Sequence, residues 1–399
     1  MKRWPMVKIK SVTTKVGSGA TPRGGEAIYK RSGVPLIRSM NVHFDGFRSL
    51  GLVYIDDKEA SLLNHVEVQR RDVLFNITGA SIGRVTTAPA EMEGARVNQH
   101  VCIIRPTTDL LPGFLSYYLR SPEQQALIGS NQVGGTRQAV TKEMLLNWEV
   151  PLPPLAEQER IVKLLDEAAE LRKLRDQADR RAAALIPALF YEMFGDPEAN
   201  PHGWPLRSLE EVTTSTKLGL VRGAKEMDES LPFAYIRMDA IRGDGRLALE
   251  PVRRVKATAA EVREFSLIRG DFLFNTRNSR ELVGKTALFD SDGTFLFNNN
   301  IMRIRFANAV EPRYAIALFQ TDFLRRQLEA RKSGTTSVVA IYYKNLRDLR
   351  VLVPPIALQQ EFAQRVTAIR DLEAAQAACR ARLDALFQST LHRAFAGEL

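Results

Sequence analysis

The sequence predicts an α+β protein. It reads as two similar mixed α/β domains joined by two long helices that pack on each other, with an internal pseudo-two-fold. Three observations predict this. Blocks of sequence recur once, in the same order, roughly 200 residues apart. The first part of each copy, residues 1–150 and 197–350, is rich in β-branched and aromatic residues and broken by Gly, Pro and Asn, the composition of short strands and turns. Each copy then ends in a stretch dominated by Ala, Leu, Arg, Glu and Lys, the composition of helix.

The repeat is explicit. Trp4-Pro5 recurs as Trp204-Pro205, and Ile37-Arg38-Ser39-Met40 as Ile236-Arg237-Met238. Arg71-Asp72-Val73-Leu74-Phe75-Asn76 recurs as Gly270-Asp271-Phe272-Leu273-Phe274-Asn275. Val97-Asn98-Gln99-His100 matches Phe297-Asn298-Asn299-Asn300, and Gly135-Thr136 matches Gly334-Thr335. Val150-Pro151-Leu152-Pro153-Pro154-Leu155-Ala156 returns as Val351-Leu352-Val353-Pro354-Pro355-Ile356-Ala357. A period of about 20–50 residues would indicate a solenoid. A period near 200 indicates two whole modules, and a duplicated chain can fold about an internal two-fold as a dimer does about a true one. The expected domains are 1–155, a spacer helix at 156–196, 197–355, and a second spacer helix at 356–399.

Each element has a local reason. Residues 72–77 and 101–105 read as short strands, as do 272–274 and 302–305. Residues 114–127, opened by Pro112-Gly113, and 313–330 read as short helices. Residues 157–185 contain no Gly and no Pro. Their apolar positions, continued to Leu189, fall at Ile161, Leu164, Ala168, Leu171, Ala178, Ala182, Leu185 and Leu189. Steps of three and four mark a heptad seam, with Arg175 in the one missed position. The second helix repeats it with Phe362, Val366, Ile369, Leu372, Cys379, Leu383 and Leu386. The expected helix–helix contacts are therefore Ile161, Leu164, Leu171 and Leu185 against Phe362, Val366, Ile369 and Leu383. Each helix follows a Pro-Pro pair, and Pro187 should kink or end the first. About 30 residues at 1.5 Å each give a rod on the order of 45 Å.

Composition narrows the function class. Of 399 residues 45% are hydrophobic and 26% charged, ordinary for a globular chain. Lys and Arg total 56 against 46 Asp and Glu, a net charge of +10 that favours a polyanionic partner, nucleic acid before membrane. Two cysteines exclude a disulfide scaffold and fit a reducing cytoplasm. The N-terminus lacks an apolar signal region, and no run of about 18 apolar residues suggests a membrane span.

Catalytic constellations are missing. Gly79-Ala80-Ser81-Ile82-Gly83 matches a nucleophile-elbow pattern, but strand-like residues follow it where a helix is required, and the second copy does not keep it. His100 and Cys102 have no second pair at metal-ligand spacing. Gly17-Ser18-Gly19 lacks the Lys of a phosphate-binding loop. No Pro-Asp dipeptide starts a metal-dependent nuclease pattern.

Loops instead carry amides, hydroxyls and guanidinium groups. In the first module these are Asn76, Thr78, Arg84, Asn98, Gln99, Arg137 and Gln138; in the second, Asn275, Thr276, Arg277, Asn278, Arg280, Asn298, Asn299, Thr335 and Thr336. Arg pairs bidentately with guanine and Asn or Gln with adenine, while Ser, Thr and Lys hold phosphates. Asn, Thr and Gly are also turn residues, so Asn76 and Asn275, next to Phe75 and Phe274, have a structural reading of equal weight. Arg137, at the end of a glycine loop, has no evident core role and is expected to contact DNA.

The order of domain, Pro-Pro, long helix, Phe194-Gly195-Asp196-Pro197, domain, Pro-Pro, long helix resembles the specificity subunit of type I restriction-modification systems. Leu152-Pro153-Pro154-Leu155-Ala156-Glu157-Gln158 and Val353-Pro354-Pro355-Ile356-Ala357-Leu358-Gln359 carry the resemblance, together with the two Asp-x-Leu-Phe-Asn blocks. Arg71 before Asp72 departs from the commoner Gly270-Asp271, and Pro187 interrupts the first helix. The resemblance implies that each globular part is a target recognition domain reading one half of a split, asymmetric double-stranded DNA site. It implies that the two helices form an antiparallel coiled coil that fixes the distance between the halves, and that two methylation subunits, which bind S-adenosylmethionine, dock on it. Restriction subunits with ATP and magnesium would join them. The chain itself would be non-catalytic, hold no cofactor or metal, and work in a prokaryotic cytoplasm. The alternatives are a duplicated DNA- or protein-binding scaffold outside restriction-modification, or a nuclease with an unrecognised site.

Overall fold

The computed structural model describes residues 4–22, 24–130, 139–334 and 338–399. The chain divides into two compact units, Met1–Gln177 with Ala377–Leu399, and Ala178–Gln376. The division differs from the expected four pieces. Each long helix contributes its start to one unit and its end to the other, because both ends pack into the core of a globular part.

The first unit is built on a four-stranded antiparallel sheet in the order Thr13–Ser18, Val101–Pro106, Val73–Asn76, Val85–Thr87. All four residues of Val73–Asn76 are buried, because the sheet is covered on both faces. Val73, Phe75, Cys102 and Ile104 face a core shared with Ile161 and Leu165 of one long helix and with Phe387, Leu391 and Ala394 of the other. The alternate residues Leu74, Val101 and Ile103 face a second core with Leu36, Ile37 and Val97. That core belongs to a three-stranded sheet in which Val34–Ile37 pairs antiparallel with Val53–Ile55 and parallel with Arg96–Val97.

The second unit repeats the plan. Its four-stranded sheet runs Thr213–Leu218, Ile301–Phe306, Phe272–Asn275, Thr286–Leu288. Its three-stranded sheet places Phe233–Ile236 between Arg253–Val255 and Phe295–Phe297. Phe272 and Phe274 join the core containing Phe190, Phe194, Phe362 and Val366.

Two repeated side-chain staples hold these elements. Asp72 is fully buried and takes a bidentate pair from Arg105 on the neighbouring strand, at 2.7 and 2.9 Å, plus the Gln69 amide at 2.7 Å. Asp271 does the same with Arg305 at 2.6 and 3.0 Å and the Ile268 amide at 2.9 Å. A buried carboxylate needs such pairing to repay its lost hydration. Gln158 is likewise buried. Its Oε1 accepts from the Leu111 amide at 2.8 Å, and its Nε2 donates to the carbonyls of Asp109 and Pro153, both at 2.9 Å. Gln359 repeats this with the Glu311 amide at 2.9 Å and the carbonyls of Ala309 and Pro354 at 3.0 and 2.7 Å. The Pro-Pro-x-x-x-Gln block thus clips the start of each long helix to the loop before the preceding short helix.

The helices depart from expectation in three places. The segment read as one helix over 114–127 is two, Pro112–Arg120 and Pro122–Ser130, because the residue before a proline is pushed out of the helical region. The segment at 313–330 is Pro312–Phe319 and Asp322–Glu329, with Thr321 capping the second by accepting from the Leu324 amide. As expected from Pro187, the first long helix ends at Ala183, the residue whose carbonyl Pro187 cannot bond, and Pro187 sits in the first turn of Leu185–Phe194.

The third departure concerns the seam. The second long helix runs Ile356–Ala396. In each unit the start of one long helix lies with the end of the other, the antiparallel sense: Arg172 reaches Asp384 at 2.6 Å and stacks over Phe387, and Phe362 packs against Phe190 and Phe194. Ile161, Phe362 and Val366 are buried, and Ile369 and Leu383 half-buried, as the seam predicts. Leu164, Leu171 and Leu185 are not, at 37, 52 and 43% exposure. On the second helix Leu372 and Leu386 are 48 and 57% exposed. Beside Leu164, Leu185 and Leu386 the buried position lies one residue, or about 100°, further round, at Leu165, Ile186 and Phe387. Period alone could not choose between two adjacent apolar stripes, and the globular cores claimed the one with the larger side chains.

Candidate nucleic-acid interface

In both units a strand of the four-stranded sheet delivers the loop that carries most of the candidate polar residues. Asn76 closes Val73–Asn76, exchanging backbone hydrogen bonds with Arg84 and Gly83, and Asn275 closes Phe272–Asn275 with Lys285 and Gly284. Both Asn side chains are fully buried. Asn76 Nδ2 donates to the Ser39 carbonyl at 2.9 Å and to Ser81 Oγ at 3.2 Å; Asn275 Nδ2 donates to the Leu282 carbonyl at 3.2 Å. Of the two readings open for these amides the burial and the Nδ2 hydrogen bonds favour the structural one, although Asn275 also borders a cleft at the second unit's rim. The Ser81 turn runs straight into the strand Val85–Thr87, so no nucleophile elbow forms. Burial pushes the Cys102 thiol up to about 12, which makes it a core residue.

Asn98 is buried, its Oδ1 accepting from the His100 amide at 3.1 Å; Asn298 does the same for the Asn300 amide at 2.8 Å and donates to Tyr235 Oη at 3.1 Å. These are turn-forming contacts. Thr276 is buried and donates to the Asn300 carbonyl. On the first unit's rim Thr78 Oγ1 lies 2.5 Å from His100 Nδ1, and exposed Gln99 bonds His100 and Thr21. Arg84 is half-buried. On the second unit's rim Arg277 is exposed on the short strand Arg277–Asn278, which pairs with Val339–Ala340. Asn278 and Asn299 are half-buried, and exposed Arg280 is paired with Glu329. Arg137, Gln138, Thr335 and Thr336 lie outside the described residues.

The rim of the second unit surrounds a cleft of about 700 Å³. Its lining includes Asn275, Asn278 and Asn298, and four cations that the loop survey did not single out or reach: Arg222, Arg237, Arg242 and Lys285. Arg237 directly follows the central strand Phe233–Ile236, at the same place as Arg38 after Val34–Ile37. The repeated Ile-Arg pair was the available signal. Arg38 differs from Arg237 in its partners: it donates to the Gly51 carbonyl at 2.7 Å and stacks on Tyr29, whereas Arg237 lies 3.5 Å from Asp239.

Among the described residues no group of three or more His, Cys, Asp or Glu could hold a metal ion. No described helix is long and apolar enough to cross a membrane.

The family described as "Type I restriction modification DNA specificity domain" matches residues 1–177. The specificity subunit of the EcoKI type I restriction enzyme from Escherichia coli K12 is 24% identical, over 99% of this chain and 89% of the relative. The StySPI specificity subunit from Salmonella potsdam is 21% identical over the same shares. The chain is similar to the type I restriction-modification specificity subunits over nearly its whole length, and residues 1–177 carry their DNA specificity domain. Its role is recognition of a DNA target. Solved structures of the class share the fold of this specificity subunit over its full length. A chain from a type I restriction-modification assembly superposes with a TM-score of 0.63 at 20% identity, covering 100% of this chain and 99% of its own. The subunit from M. genitalium gives 0.58 at 15% identity, covering 98 and 96%.

Proposed function

We propose that this specificity subunit reads a bipartite, asymmetric duplex target, one half-site per globular unit, and that it contributes no catalytic group of its own. One observation carries the reading: the two units share their buried polar staples and differ at their rims. Asp72, Asn98 and Gln158 have structural counterparts in Asp271, Asn298 and Gln359, whose hydrogen bonds to backbone amides they repeat. Thr78 and His100, by contrast, stand where the second unit has Arg277 and Asn300. Different donors and acceptors select different base edges.

The exposed leucine stripes supply the docking surface. Leu171 of the first long helix and Leu185 of the helix that follows it, and Leu372 and Leu386 of the second long helix, are exposed leucines at the same spacing of two heptads. A face that is half exposed and duplicated suits two copies of one partner, and methylation subunits binding S-adenosylmethionine are that partner in this reading. Restriction subunits carrying ATP and magnesium complete the assembly. The long helices then fix the spacer between half-sites.

Mapping methylated adenines genome-wide tests this. Replacing residues 1–150 with those of another specificity subunit should change one half of the methylated motif and leave the other half unchanged. A change in both halves would defeat the modular reading.

A further inference from the structure

The cleft of the second globular unit carries more positive charge than the protein neutralises. Asp239 is the one carboxylate among its lining residues, against four cations. Two of these are already engaged. Arg222 pairs with Glu261 at 2.8 Å and donates to the Lys256 carbonyl, and Arg237 lies 3.5 Å from Asp239. The side chains of Arg242 and Lys285 have neither a carboxylate nor a hydrogen-bond partner among the described residues. In the first unit the position of Arg242 is taken by His43, whose Nε2 is 2.9 Å from the Met40 carbonyl.

We propose that this cleft is a backbone anchor, in which Arg242 and Lys285 hold phosphodiester groups of duplex DNA while exposed Arg277, outside it, meets base edges. The inference rests on the DNA-recognition reading and adds a division of labour to it. Two cations without protein partners among the described residues, on one concave surface, favour an anionic ligand. A lysine ammonium is a point charge that suits phosphate and lacks the planar fork of bidentate base readout. Backbone contacts fix register without selecting sequence, whereas base readout needs donors that enter a groove.

The test uses the complete methyltransferase, with Arg242→Gln and Lys285→Gln introduced singly and together. DNA binding is measured across a KCl series, and the methylated motif is mapped in parallel. Each phosphate contact contributes about 0.9 to the log–log salt slope. The double variant should therefore lose roughly two from the slope, each single variant roughly one, and all should methylate the original motif. Added inorganic phosphate at matched ionic strength should not displace the DNA; displacement would assign the cleft to free phosphate and overturn the anchor. An unchanged slope, or a motif altered in its second half, would also overturn it. Absence of specific binding by the unsubstituted complex would overturn both this inference and DNA recognition, so the two failures are told apart.

Discussion

The two globular units differ where they meet solvent and agree where they meet themselves. Asp72 with Arg105 and Asp271 with Arg305 are the same buried pair; Gln158 and Gln359 are the same three-bond clip. At the rim the agreement stops. Thr78 with His100 and Gln99 forms a hydrogen-bonded chain in the first unit, while the second presents Arg277, Arg242 and Lys285. The repeated blocks are therefore the scaffold, and recognition lies in what is not repeated. A motif shared by both halves marks folding before it marks binding.

The comparison can be broken at four depths. The largest effect is expected on assembly. Leu171→Glu with Leu372→Glu should abolish capture of the methylation subunits, read by size-exclusion chromatography, while the thermal midpoint of the isolated subunit stays unchanged. A charge at Leu171 would separate the helices if it lay in their seam, but it is half exposed and the pair should survive. Next, Asp271→Ala leaves Arg305 without its carboxylate and should cost about 3 kcal/mol in denaturant unfolding, with Asp72→Ala matching it in the first unit. Unequal costs would show that the shared interior is not equivalent. Arg277→Ala should cost about 1–3 kcal/mol of DNA binding and relax the second half-site alone, with stability untouched. Thr78→Ala is the counterpart for the first half-site. The smallest effect is at Arg71, held at φ 76° where the second unit has Gly270 at 90°. Arg71→Gly should stabilise the first unit by about 1 kcal/mol, because the left-handed region penalises a side chain.

Much of this was legible in the sequence. The duplication, the strands around Phe75 and Phe274, and the helices after each Pro-Pro pair follow from period and composition. Two things were not. The seam was displaced by one residue, because Leu164 and Leu165 are equally apolar and only the globular core decides between them. The cleft was missed in part because Arg237 and Arg242 follow a strand nearly forty residues before Asn275 in the chain, and parallel pairing of Phe233–Ile236 with Phe295–Phe297 helps bring those segments together. Asn76 and Asn275 erred the other way. Their polarity suggested a surface, while their place at the end of a fully buried strand makes them internal.

The central claim is that the rims, on a common scaffold, set two different half-sites. The most direct measurement places the second unit's globular part in both positions, with residues 204–354 replacing 4–153, and maps the methylated motif of the resulting complex. The account predicts an inverted repeat of the original second half-site, because two identical rims would read the same sequence on opposite strands if the duplication expected from the sequence acts as a pseudo-two-fold. A motif that remained asymmetric would contradict it.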